Sequence, residues 1–187
     1  MNIRFQAVLL SALISACVAR AAPVPLTSSS AAVAPFWGLL QSPEGYTIDT
    51  RKTRWQVSEV PEGAERADAA FRIEKSDGLL TVRLDDMKKA RTPKSYMDSW
   101  MALYLRLGFE ILGTRPFEHN GDTAYVVDLL QKDRSRQARQ AIFFRNNQAV
   151  IISCNDVKET FSASLAECNK VIQSFRWTKP NIQAPRF

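Results

Sequence analysis

Residues 92–109 read TPKSYMDSWMALYLRLGF, and this stretch alone carries a full set of helix start, face and stop signals. Thr92 suits the capping position, Pro93 the first helical position and Gly108 the position just past the end. Between them Tyr96, Trp100, Leu103 and Leu107 recur at helical spacing, flanked by Met97 and Tyr104. Lys94, Ser95, Asp98, Ser99 and Arg106 gather opposite. A helix with so large an aromatic face needs a broad apolar surface to lie on, and β-like runs on both sides supply one.

Upstream, residues 70–74 alternate, Ser76-Asp77-Gly78 signals a turn, and residues 79–84 return, which together predict a hairpin. Earlier still, residues 46–49 and 53–57 read as short strands, followed by a charged loop over 58–67 with Pro61 and Gly63. Phe36-Trp37-Gly38-Leu39-Leu40 reads as an edge segment docking on the core.

Downstream, residues 110–114 open a second set of strands. His119-Asn120-Gly121-Asp122 turns the chain into 123–130, a polar tip at 132–137 leads to 138–145, and Asn146-Asn147 fits a two-residue turn into 149–154. Successive hairpins imply an antiparallel meander. A second helix follows, with Phe161, Leu165, Cys168, Val171, Ile172 and Phe175 on one face. Asp156 and Glu159 have capping-box spacing, but a helix starting there would lift Cys168 about 18 Å up its axis. A bond to Cys154 needs Cα atoms only about 4.4–6.8 Å apart. Residues 155–160 are therefore expected to form an extended loop, with Ser164 and Glu167 a second capping box for a later start. The expected fold is α+β, an antiparallel β-sheet meander covered by two main helices as an α/β/α sandwich.

The ends and the cysteines give an address. Residues 1–22 combine Arg4, an apolar run over 7–16 and small residues, which predicts an export signal too short to span a bilayer. Cleavage after Ala21 or Ala22 would release the protein, whereas Ile14-Ser15-Ala16-Cys17 resembles a lipobox that would leave an acylated Cys17 at the membrane surface. Residues 23–37, rich in Ala, Pro and Ser, suit a flexible tether. Residues 38–177 form the expected single domain, and 178–187, with Pro180 and Pro185, a tail. Setting Cys17 aside leaves Cys154 and Cys168, an even pair predicted to form a disulfide in the periplasm or at the outer membrane.

The formal charge is +6, and removing Arg4 and Arg20 leaves 23 basic against 19 acidic residues, near +4. That mild excess lacks the concentration expected of a nucleic-acid binder. Lys132, Arg134, Arg136 and Arg139 crowd one hairpin tip with only Asp133 against them, an arrangement suited to an anionic partner, to lipid phosphates, or to keeping an edge soluble. The tip has no interleaved aromatics for stacking bases.

Reactive groups are sparse. The one histidine, His119, sits beside Asn120-Gly121 and reads as a solvated loop residue. Asp85-Asp86 reads as loop charge rather than a calcium site, and Asp128 as a residue facing water. HExxH, GxSxG, P-loop and CxxC motifs are absent from the sequence. Neither a cofactor, a metal site nor a catalytic residue is expected.

The order of elements, Pro43-Glu44-Gly45-Tyr46 followed by Trp55, and the closing Ile172-Gln173-Ser174-Phe175-Arg176-Trp177 resemble the PsbP-like superfamily over residues 38–177. That group includes an extrinsic photosystem subunit, a Ran-binding nuclear-import factor and DcrB-type bacterial envelope lipoproteins. The resemblance implies an antiparallel sheet between helical layers, used for binding or assembly rather than catalysis. No ligand-binding motif carries over. The expectation is a non-catalytic module meeting another envelope protein. Its alternatives are an enzyme with a dispersed site on envelope polymers, or a small-ligand carrier using the space between the Trp100 helix and the sheet.

Overall fold

A computed structural model describes residues 38–64, 66–87 and 92–179. The chain runs β1 (Leu39–Ser42), β2 (Tyr46–Asp49), β3 (Trp55–Ser58), β4 (Ala69–Ile73), β5 (Leu79–Asp86), α1 (Pro93–Arg106) and β6 (Phe109–His119). It continues through β7 (Asp122–Gln131), β8 (Arg136–Arg145), β9 (Gln148–Val157), α2 (Phe161–Ser174) and β10 (Arg176–Trp177). The export signal, Cys17, the tether and most of the tail lie outside the described residues.

Seven strands form one antiparallel sheet in the order β3-β4-β5-β9-β8-β7-β6. The meander β6 to β9 pairs neighbour with neighbour, and its last strand closes onto β5. The turns do what their residues dictate. Asn120 and Gly121 have φ of 54° and 85°, and Asn146 and Asn147 have φ of 48° and 62°, the left-handed geometry of tight hairpins. The β4–β5 turn differs from expectation, because Lys75 (φ 59°) takes the left-handed position. Gly78 instead answers a close approach: a Cβ there would meet Ser76 Oγ at 3.1 Å and both Asp156 Oδ2 and Trp55 Cη2 at 3.4 Å.

Side chains alternate across the large sheet, so each face carries its own core. On β9, Ala149 and Ile151 pack with Tyr96, Met97 and Tyr104 of α1, whereas Val150, Ile152 and Cys154 pack with Cys168, Val171 and Ile172 of α2. β1, β2 and β10 form a separate three-stranded sheet whose Leu40, Tyr46 and Ile48 join the α2-side core. Residues 36–40 are expected as an edge segment docking on the core, and β1 is an edge strand with Leu40 in that core. Leu39 and Leu40 are paired to β2, while Phe36 and Trp37 lie outside the described residues. Residues 176–177 were expected to close the second helix. They form β10 beside β2, since α2 ends at Ser174.

Thr92 caps α1 as expected, with its hydroxyl accepting from Ser95 N–H at 3.2 Å and Ser95 Oγ accepting from Thr92 N–H at 3.3 Å. The buried face is turned from the expected one: Tyr96, Met97 and Tyr104 are buried, but Leu107, beyond the last helical residue, is 60 % exposed. At the other end of the chain Asp156 caps nothing. β9 extends through Val157, and the buried Asp156 carboxylate accepts from Ser164 Oγ and, at 2.7 Å, from Val157 N–H. Ser164 and Glu167 form no box either, because α2 already begins at Phe161. Running out about 10 Å along the strand and back a similar distance along the helix brings the cysteines together. Cys154 and Cys168 are bonded, with Cα atoms 6.2 Å apart.

Asp68 ties the two sheets. Its Oδ2 accepts from Tyr46 Oη at 3.1 Å and from Leu84 N–H at 2.8 Å, and burial raises the pKa of its carboxyl. A carboxyl raised in the folded state contributes stability that is complete below its unfolded pKa and is lost as pH climbs through the raised value. Asp68→Asn retains an acceptor oxygen for both donors without the charge. It should match wild type within about 1 kcal/mol at pH 7. Relative to wild type it should be less favourable at pH 4, as read by urea unfolding at both pH values; an offset that does not change with pH would contradict this.

Candidate functional site: a cavity beside α1

A helix about 10 Å across covers the width of roughly two strands spaced at ~4.8 Å, so α1 cannot cover its whole side of the large sheet. It lies against β6, and its Tyr96 and Tyr104 reach Phe144 and Gln140 on β8. Over β5, β9 and β8 the face stays open beside the helix, and Gly63, Ala64, Arg66 and Ala67 flank it. The result is a cavity of about 380 Å³. This lies within the ~300–1,000 Å³ typical of small-molecule sites.

Strand register sets its floor. Thr81, Ser153 and Gln140 lie side by side across β5, β9 and β8, and Asn155 faces Ala138 in the next row. Trp100, Tyr104, Leu107 and Phe109 form the wall along the helix. Tyr104 Oη donates to Gln140 Oε1, and Gln140 Nε2 donates to Ser153 Oγ at 3.2 Å. Burial raises the Tyr104 pKa well above the ordinary phenol value, so it remains a donor through the neutral range. Arg136 Nε donates to Asn155 Oδ1 at 2.9 Å, which leaves the Asn155 amide hydrogens for the cavity.

Among the described lining residues, Arg83 is the one strongly held charge. Its guanidinium lies over the Trp100 ring, 4.8 Å from the centroid, and its Nη2 donates to Asp85 Oδ2 at 3.0 Å. Tyr96 Oη donates to the same carboxylate oxygen at 2.7 Å. Arg83 Nε is buried and has no hydrogen-bond partner.

The structure separates the four cations of the hairpin tip. Lys132 and Arg134 are exposed, with Arg134 at a turn (φ 60°). Arg139 points to the α2 side, bonded through Nε and Nη2 to Asp128 at 2.7 and 2.9 Å and through Nη1 to Asn169 at 2.9 Å. Arg136 points the other way, to Asn155 and to the Asp77 carbonyl at 3.0 Å. Two of the four are thus internal ties, because positions 136 and 139 fall on opposite faces of one strand.

Three other expectations change. His119 is half-buried against Phe143, 5.2 Å between ring centroids, with Nε2 2.8 Å from the Phe175 carbonyl oxygen, so it braces β6 to the end of α2. Asp128 is ion-paired rather than hydrated. Asp85 and Asp86 belong to β5, not to a loop, and Asp85 is held by Arg83 and Tyr96. Among the described residues no cluster of three or more His, Cys, Asp or Glu is arranged for a metal.

Arg83, Ser153, Gln140 and Asn155 were not singled out from sequence. A signal was present on β9, where one face runs Ala149, Ile151, Ser153, Asn155 and changes from apolar to polar.

No family model matches the chain, and no curated protein does. Solved structures do. Cyanobacterial PsbP (CyanoP) of Synechocystis superposes with a TM-score of 0.59 at 14% identity, covering 76% of this chain and 94% of that one. LpqN, involved in cell envelope biogenesis of Mycobacterium tuberculosis, superposes with a TM-score of 0.50 at 14% identity, covering 73% of this chain and 86% of that one. At such identities the likeness is one of fold, and the antiparallel sheets with two helices described above agree with it. The chain is PsbP-like in fold.

Proposed function

We propose that this is a non-catalytic binding and assembly-accessory module of the cell envelope, exported and either released into the periplasm or held at the outer membrane through an acylated Cys17. In this reading its helical layers on the two faces of the large sheet form an α/β/α sandwich that holds the cavity rigid. The cavity carries the proposal. Its described lining offers hydrogen-bond donors and an aromatic wall, but no carboxylate, imidazole or thiol to serve as a general base or thiolate nucleophile. Ser153 is present without a base beside it. This arrangement favours the small-ligand form of a binding module over a dispersed active site.

The compartment is supported by the Cys154–Cys168 bond, of a kind that persists in oxidising surroundings. LpqN, which shares the fold, is involved in cell envelope biogenesis; fold does not by itself fix function. The partner would be another envelope protein, with Lys132 and Arg134 available for an anionic surface on it.

The test is to incubate the purified mature protein with the small-molecule fraction of the envelope, then follow melting temperature and the mass spectra of retained compounds. Retention with a raised melting temperature and unaltered compounds is expected. Conversion of a compound, or no retention at all, would contradict the proposal. The intact mass of the same preparation separates a Cys17-acylated start from a released one.

A further inference from the structure

The cavity beside α1 selects one class of ligand by its charges and its donors. We propose that it binds a small monocarboxylate with an apolar body, the carboxylate accepting from the Arg83 guanidinium and the body lying against Trp100 and Phe109. This rests on the binding reading above and specifies its ligand.

The charges decide the sign of the ligand. The charged residues among the described lining are Arg66 and Arg83, both cationic. Asp85 stands behind Arg83 rather than in the lining, and its single bond to Nη2 offsets part of that charge. The described lining is thus net positive and matches an anion. A phosphate dianion would need more fixed cationic donors than the lining presents.

The donors decide the group. Arg83 is oriented before any ligand arrives, with Trp100 under its plane, Asp85 on Nη2 and Nε buried, so a carboxylate meets a guanidinium already fixed in place and loses little in ordering the side chain. The floor repeats the preference. Asn155 has spent its carbonyl oxygen on Arg136, and Ser153 Oγ already accepts from Gln140. Both therefore present hydrogens, and an acceptor-rich head group satisfies them where an amine would not. The opposite wall, of Trp100, Leu107, Phe109 and Leu129, is apolar and takes a ring or a short aliphatic chain.

The probe is 3-phenylpropionate, compared with its neutral amide 3-phenylpropionamide and with phenyl phosphate, titrated into the mature protein and followed by amide and side-chain N–H shifts. The acid should bind about tenfold or more tighter than the amide, the difference made by a charge-assisted hydrogen bond. It should move the Arg83 Nε–H and Trp100 indole signals. Arg83→Gln should abolish that preference for acid over amide, and Arg83→Lys, which keeps charge without the planar guanidinium donors, should restore only part of it.

Equal affinity for acid and amide, no binding of the acid at millimolar concentration, or shifts confined to residues away from the cavity would each overturn the proposal using wild-type protein alone. Tighter binding of phenyl phosphate in the same place would overturn the carboxylate assignment while leaving the binding function intact. Unfolding of the Arg83 variants would not weaken these comparisons, since they do not depend on a variant.

Discussion

Phe175→Ala should cost about 3–5 kcal/mol, the usual penalty for emptying a fully buried aromatic position. Phe175 is 0 % exposed, and its ring stacks on Phe143 with centroids 3.9 Å apart. It also meets Trp177 edge-on at 5.2 Å and Tyr46 at 6.2 Å. One side chain thus joins the end of α2, the small sheet and the large sheet, and three elements lose contact with each other when it is cut back. The backbone carbonyl of residue 175, which accepts from His119 and Asn120, is unchanged by the substitution, so the loss reports packing alone. Domains of this size have about 5–15 kcal/mol in total. The urea midpoint should therefore fall sharply, and Phe175→Leu, which conserves most of the volume, should recover much of it. A loss under about 1 kcal/mol for the alanine variant would place residue 175 outside any real core.

Removing the disulfide should have an effect of similar order. Cys154 and Cys168 are separated by 14 positions and are both fully buried. Closing a loop of that length restricts the unfolded chain by about 3 kcal/mol in the entropy treatment, and measured values commonly fall at 2–4 kcal/mol. The double variant Cys154→Ala, Cys168→Ala should lose that amount and become insensitive to reductant. Wild type should lose a comparable amount when reduced. A double variant as stable as oxidised wild type, or one still destabilised by reductant, would contradict the bond's contribution.

Both predictions concern the α2 side, where the sequence was partly legible. The cysteine pair and the geometric conflict between a helix starting at Asp156 and a bond to Cys154 forced the chain to run outward first, as it does through Val157. The second sheet was not legible, because β10 is two residues long and its pairing with β2 joins positions far apart in the chain. Hairpins built on Asn-Gly and Asn-Asn could be read directly, since those residues tolerate positive φ. Ser76-Asp77-Gly78 marked the β4–β5 hairpin, but its left-handed residue is Lys75 and Gly78 serves a close approach.

On the α1 side the helix limits were written in Thr92, Pro93 and Gly108, but the cavity was not. It follows from how little of a wide sheet one helix covers, which depends on strand order. Strand order in turn depends on β9 returning to β5, a pairing between residues about seventy positions apart. The basic tip shows the same limit. Arg136 and Arg139 are close in sequence, yet strand alternation sends one toward Asn155 and the other toward Asn169.

The most direct check is a crystal structure of the mature protein with 3-phenylpropionate. The carboxylate should lie within hydrogen-bond distance of the Arg83 guanidinium, with the ring between Trp100 and Phe109 and the Thr81, Ser153, Gln140 row beneath it. A Trp100 side chain collapsed onto that row, leaving no room for the acid, or an acid bound elsewhere on the protein, would contradict the cavity and the function built on it.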